Sequence, residues 1–158
     1  MTVQDKATFE RSCLVYGLKP EYVEAIYPLG TLATYRGGEE IIRHKATDAD
    51  LYVILDGHVN VLTDDGDKLF EVGPGSVVGE IAFMDAGPRD ASVVAKNYVS
   101  VLRFPAQELR RKMCSEKELG FSILANLSRL VCARLRNAED RLDQLMDKAH
   151  EVWNLADN

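Results

Sequence analysis

The amino-acid sequence predicts an α+β protein that is mainly β: an antiparallel sandwich or barrel with short helices before it and one long helix after it. Three observations carry that expectation. Between residues 30 and 104, short β-rich runs alternate with glycine-marked turns. No helical stretch long enough for a β-α-β crossover interrupts them, which excludes a Rossmann-type nucleotide fold. From Ser115 to Val152 the chain has no proline and a single glycine, Gly120. That is on the order of 37 residues, or ~55 Å of helix.

Residues 1–29 read as short helices. "FERSCLVYGL" spaces its apolar residues at a near-helical period, and Gly17 is placed to end the turn. "KPEYVEAIYPLG" restarts with Pro20 at a favoured first helical position and stops at Pro28 and Gly30. The strand region then runs through "TLATY", "EEIIRH", "LYVILDGHVNVLT", "KLFEV", "SVVG" and "ASVVAKNYVSVLRF". Asp56-Gly57 and Asp65-Gly66 are signals for two-residue hairpins, whose central positions need positive φ.

Residues 105–155 read as helical. Pro105 opens "AQELRRKMC", and Ser115 with Glu118 three residues on fits a capping box for a second helix. The first half of that helix has a broad apolar face, Phe121, Leu124, Leu127 and Leu130, expected to pack on the barrel. Further on, Val131, Leu135, Ala138, Leu142, Leu145, Ala149 and Val152 are spaced alternately four and three apart, the seam of a coiled coil. A barrel of this size cannot cover so long a stripe, so a homodimer through the C-terminal helix is expected.

With 158 residues the chain fits a single domain, 1–158, with a substantial core. Its net charge of -6 argues against a general nucleic-acid binder, since backbone affinity needs concentrated Lys and Arg. The one basic cluster, Arg110-Arg111-Lys112, is followed by Glu116 and Glu118 and reads as a solvated helix face. Cys13, Cys114 and Cys132 are scattered and odd in number, with no disulfide framework or zinc spacing. The N-terminus lacks the apolar core of a signal peptide, and no apolar run spans a bilayer. A reduced, cytoplasmic setting is expected, with no membrane contact. His44, His58 and His150 are not clustered as a metal-dependent barrel enzyme requires, and no nucleophile-base pair is suggested, so neither an enzyme nor a metal site is expected.

One stretch, "GEIAFMDAGPRDASVV" from Gly79 to Val94, carries the chemistry. Gly79-Glu80-Ile81-Ala82 can form a short helical turn whose first amides attract an anion. Glycine at 79 admits close approach of the backbone. Gly87-Pro88 turns the chain into Arg89, whose fork of permanent donors suits phosphate oxygens. Glu80 could accept two hydrogen bonds from a sugar, so anion site and hydroxyl acceptor together suit a sugar phosphate. On spacing alone a second reading stands beside this one, in which Glu80 and Arg89 simply pair with each other.

The stretch closely resembles the phosphate-binding cassette of cyclic-nucleotide-binding domains, which reads Gly-Glu-(Leu/Ile/Val)-Ala, a variable loop, then Pro-Arg-x-Ala-(Thr/Ser)-Val. Here Gly79-Glu80-Ile81-Ala82 and Pro88-Arg89-Asp90-Ala91-Ser92-Val93 fill that pattern, within a cassette spanning 79–92. "LYVILDGHVNVL" resembles the family's central strand pair, with Gly57 as its glycine. The resemblance runs from about Tyr16 to about Leu145. It implies helices around an eight-stranded antiparallel β-roll, jelly-roll-like in its double-stranded winding.

By this resemblance Arg89 would bind the exocyclic oxygens of cAMP or cGMP, and Glu80 the ribose 2′-hydroxyl. The amides of Ala82 and Ala91 would help cradle the phosphate, with Gly79 and Ile81 shaping the turn and Ser92 in a structural part. Asp90 departs from the alanine, serine or threonine common after the arginine. It points into solvent, repels the phosphate, or accepts from a guanine amino group, and the choice between cAMP and cGMP stays open with it. The helix "ILANLSRLVCARLRNAEDRL" resembles the dimerising helix of catabolite-activator-type regulators, where Asn137, Ala138 or Glu139 would face the base. A DNA-binding helix-turn-helix follows in those regulators. No such segment lies before Asn158, so this chain alone is not expected to read DNA. The implied function is a sensor that passes a conformational change through its C-terminal helix to a dimer interface or an unknown protein effector. A β-roll interaction module that no longer binds nucleotide is the alternative, and it would be expected to lose Arg89 or Glu80.

Overall fold

The computed structural model describes residues 2–156, with side chains through Glu151. Two compact units divide the chain between Leu127 and Ser128.

In the first unit, α1 (Val3–Glu10) opens on a reciprocal cap: the Asp5 amide donates to the Thr2 hydroxyl, and the Thr2 amide donates to the Asp5 carboxylate. This helix starts and ends earlier than the periodicity of "FERSCLVYGL" suggests. Arg11 closes it, and residues 11–17 form turns instead. The apolar residues there are recruited by tertiary contacts: Leu14 and Val15 are buried, and the Cys13 amide donates to the Gly75 carbonyl at 3.0 Å. α2 (Pro20–Ile26) begins with proline as expected and runs into a 3-10 turn at Tyr27–Leu29.

Eight strands follow: β1 (Thr31–Tyr35), β2 (Glu40–Ile42), β3 (Leu51–Asp56), β4 (Val59–Leu62), β5 (Lys68–Val72), β6 (Val77–Val78), β7 (Ser92–Ala95) and β8 (Val99–Phe104). They form two antiparallel four-stranded sheets, ordered β1-β8-β3-β6 and β2-β7-β4-β5. The predicted antiparallel β-roll with short helices before it and a long helix after it is what the chain adopts, although more residues lie in helices than in strands. Strands β4 and β7 alternate covered and half-covered residues, while β3 is buried at five successive positions. The difference follows from place: β3 is an inner strand of its sheet and also carries α1 against it. Ile42, Tyr52, Ile54, Val59, Val61, Val93 and Val101 meet in the core between the sheets, each large aliphatic contributing ~1.5–3 kcal/mol through burial. Phe9 stacks obliquely between Tyr27 and Phe104, at ring distances of 5.2 and 5.7 Å, and locks α1 to β8.

The two Asp-Gly signals resolve differently. Asp65-Gly66 does join the paired strands β4 and β5, through a turn with one positive φ, at Gly66. Asp56-Gly57 makes no hairpin, because β3 and β4 belong to different sheets. Gly57 is needed there for two other reasons: its φ is +78°, and a Cβ would lie 2.2 Å from the Tyr98 carbonyl oxygen.

After β8 come α4 (Ala106–Ser115) and α5 (Lys117–Ala156). The break falls at Glu116, not at a Ser115 cap. The Ser115 hydroxyl donates back to the Lys112 carbonyl, and the Glu118 carboxylate is taken by Lys19 and Tyr22. The face that α5 buries is also shifted from the expected one. Phe121 and Leu124 are 75% and 45% exposed, whereas Leu119, Ile123, Asn126 and Leu127 are buried. Asn126 decides the rotation, since its amide donates to the carbonyls of Leu14 and Tyr16 at 3.0 and 2.8 Å.

The second unit is helix. From Ser128 to Glu151 only Leu130, Val131 and Arg134 are half-buried, and the other residues are exposed. Leu135, Leu142 and Leu145 stand 58–63% exposed along the predicted seam. Val152, the last seam position, lies outside the residues whose side chains are described. Among the described residues no helix is long and apolar enough to cross a membrane.

Candidate functional site

The site is built where β6 gives way to a helix of six residues. Gly79, at φ +85°, turns the chain out of the strand and precedes α3 (Glu80–Asp85). A Cβ at position 79 would sit 2.6 Å from Arg89 Nη1 and 2.8 Å from the Asp50 carbonyl oxygen, so only glycine lets the two approach. The first-turn amides of α3, Ile81 and Ala82 among them, have no acceptor within the helix. Ala86, at φ +57°, ends α3, and the Gly87 amide donates to Asp85 Oδ1 at 2.7 Å. Arg89 is then held by its backbone: its amide donates to the Ala46 carbonyl and its carbonyl accepts from the Lys45 amide, at 2.8 and 2.9 Å.

Among the described residues Arg89 is the largest side chain buried to this degree, at 2% exposure. Nη1 donates to the Gly79 carbonyl at 3.0 Å, and Nη2 donates to Asp48 Oδ1 at 2.5 Å and to the Asp50 carbonyl at 2.7 Å. Nε is buried with no protein acceptor. Burying a guanidinium costs several kcal/mol unless its donors are met, and buried polar groups ordinarily are met. Arg89 Nε is thus a buried donor that finds no acceptor among the described residues. Its guanidinium carbon also lies 6.0 Å from the centre of the Tyr52 ring.

Two aspartates complete the surroundings. Burial alone would raise the Asp48 pKa, but the hydrogen bond and positive charge of Arg89 outweigh it and hold the carboxyl below its ordinary range. Asp50 joins three elements. Its carbonyl accepts from Arg89, its Oδ2 accepts from Arg103 Nε at 2.7 Å, and its Oδ1 accepts from the Ala106 amide at 2.9 Å. Neither aspartate stood out in the sequence, because "TDAD" has no distinguishing spacing. The available signal was indirect: a buried arginine demands a carboxylate nearby.

The other residues of interest fall as follows. Glu80 and Ala82 are 3% and 1% exposed, Ile81 is half-buried, and Ala91 sits in the inter-sheet core. The Ser92 hydroxyl oxygen accepts from the His44 amide at 3.0 Å, which ties β7 to the end of β2. Asp90 is exposed. Asn137 and Ala138 are exposed positions of α5 in the second unit. Arg110 departs from the solvated face expected of its cluster. It is half-buried, and its Nη2 donates to the Phe83 and Ala82 carbonyls at the end of α3. A separate cavity of about 520 Å³, lined by Asp5, Arg11, Asp56 and Ser100 among others, includes none of the cassette residues.

The chain belongs to the cyclic nucleotide-binding domain family, whose profile matches residues 32–116. It is 27% identical over 143 residues to Glutaminase 2 of Bradyrhizobium diazoefficiens, covering 90% of this chain and 23% of that protein. It superposes on the catabolite activator protein of Thermus thermophilus with a TM-score of 0.72 at 29% identity, over 85% of this chain and 63% of that one. A cyclic nucleotide-binding domain from Methylobacillus flagellatus gives 0.77 at 26% identity, over 87% and 83% of the two chains. The chain thus spans under a quarter of the glutaminase and under two thirds of the activator.

Proposed function

We propose that residues 1–158 act as a single sensor domain that binds cAMP or cGMP and performs no chemistry on it. The observation that carries this reading is Arg89: buried, anchored on three sides, with Nε lacking an acceptor. In this reading the exocyclic phosphate oxygens meet Arg89 and the amides of Ala82 and Ala91. Glu80 accepts from the ribose 2′-hydroxyl, Gly79 and Ile81 shape the turn, and Asp90 bears on the choice of base.

The ligand draws the cassette inward and repositions the C-terminal helix. Only a difference in affinity between the two helix positions drives such a shift. A homodimer formed along the seam, or a protein effector in the cytoplasm, reads it. The relationship to a glutaminase four times as long supports an effector of separate fold.

Thermal denaturation of nucleotide-stripped protein tests the reading. At a ligand concentration of about 100 Kd, binding adds ~2.7 kcal/mol, or roughly 5–11 °C in Tm for a chain of this size. Cyclic AMP or cyclic GMP is expected to give that shift and 5′-AMP to give none. No shift with either cyclic nucleotide would contradict the proposal.

A further inference from the structure

Helix α4 is fastened to the rest of the first unit at two points with different anchors. Its first amide, at Ala106, donates to Asp50 Oδ1, and Arg103 holds the other oxygen of that carboxylate. Asp50 directly precedes β3, so this fastener belongs to the sheet. One turn on, Arg110 Nη2 donates to the Phe83 carbonyl at 2.5 Å and to the Ala82 carbonyl at 3.4 Å, and its guanidinium lies 5.0 Å from the centre of the Phe83 ring. The Ala82 carbonyl already accepts from the Ala86 amide at 3.0 Å, so the Phe83 carbonyl, among the last of α3, is the one that gains most from Arg110, and a cation there complements the helix dipole. The second fastener therefore belongs to the cassette.

The geometry points to Arg110 as the positioning residue that carries a displacement of α3 into α4, with the Asp50–Ala106 hydrogen bond as the pivot. This inference rests on the proposed nucleotide site and names how that site is read. Arg110 lies four residues beyond the pivot and Ser115 nine, about 6 Å and about 13 Å along a helix at ~1.5 Å per residue. A shift taken up at Arg110 is therefore enlarged roughly twofold at the end of α4. There the chain breaks at Glu116, with φ -123° and ψ 88°. Gly120 in the first turns of α5 packs so closely that a Cβ would lie 2.5 Å from the Met113 carbonyl oxygen. Backbone against backbone, the start of α5 follows the end of α4.

Electron–electron double resonance reads this motion. One spin label goes on the exposed Cys114 near the end of α4 and the other on β1 as Thr34→Cys, with Cys13→Ser and Cys132→Ser removing the other thiols. Saturating cAMP or cGMP is expected to shift the distance in the parent protein. Arg110→Met, which keeps the stem but no donor, is expected to bind nucleotide within about fivefold of the parent, the low end of ordinary coupling, yet to lose the shift. Arg110→Lys keeps the charge without the fork and is expected to restore part of it. A full shift in Arg110→Met with nucleotide bound overturns the inference and leaves the binding site standing. Absence of nucleotide binding in the parent, by calorimetry, overturns both. If Arg110→Met does not fold, Arg110→Lys carries the test: a reduced shift at similar affinity supports the lever, and a full shift overturns it.

Discussion

The Arg89 guanidinium donates to the Gly79 carbonyl at 3.0 Å, tying together two ends of a cassette that are ten residues apart in sequence. The contact requires the absence of a side chain at position 79. Gly79→Ala imposes a positive φ on alanine, ~1–3 kcal/mol, and adds a Cβ 2.6 Å from Arg89 Nη1. Gly66→Ala is the matched control, since Gly66 has φ +86° and nothing within 4 Å of its Cβ position. Thermal melts are expected to show Gly79→Ala several degrees less stable than Gly66→Ala. Equal losses would mean that the close approach contributes nothing.

Asp48 predicts a pH dependence. Its pKa is lower in the folded chain than in the unfolded one, so its support is fully present above the ordinary carboxylate range and is lost as pH falls through the depressed value. Asp48→Asn is expected to melt below the parent protein at pH 7, with the gap closing below about pH 4. A gap that persists unchanged at pH 3 would contradict the assignment.

Asn126 bridges α5 to the turn at residues 14–16. Asn126→Ala leaves the Leu14 and Tyr16 carbonyls without that donor, at a cost of ~1–3 kcal/mol. Urea denaturation is expected to show the midpoint fall. An unchanged midpoint would mean that the turn is held by packing alone.

The exposed seam predicts self-association. Leu135, Leu142 and Leu145 repeat at the spacing of a two-stranded coil, and a Leu135→Lys/Leu142→Lys double variant places charge at its centre. Sedimentation equilibrium is expected to give a dimer for the parent and a monomer for the variant. A parent monomer at all concentrations would remove the dimer from the proposal.

Much of the fold was legible because local pattern and tertiary role agreed. "TLATY" and "KLFEV" coincide with β1 and β5, and Pro20 begins α2. The Asp56-Gly57 turn was misread because a dipeptide reports backbone twist and not which strands pair. The register of α5 was misread because Phe121 and Leu124 look like core, while a buried asparagine fixes the face that packs. At the site, the short helix and the arginine were visible as a motif. Asp48, Asp50 and Arg110 were not, since their roles depend on partners 27 to 56 residues away.

The central claim is that Arg89 receives a cyclic phosphate. Isothermal titration calorimetry of the nucleotide-stripped protein with cAMP and with cGMP, beside Arg89→Ala and the milder Arg89→Lys, tests it most directly. Removing one partner of a buried charge pair costs ~2–5 kcal/mol, a loss of roughly 30-fold to a few thousand-fold. The account predicts micromolar or tighter binding to at least one nucleotide, and a loss of that size in variants that remain folded. Absence of heat with both nucleotides, or undiminished binding in a folded Arg89→Ala variant, would contradict it.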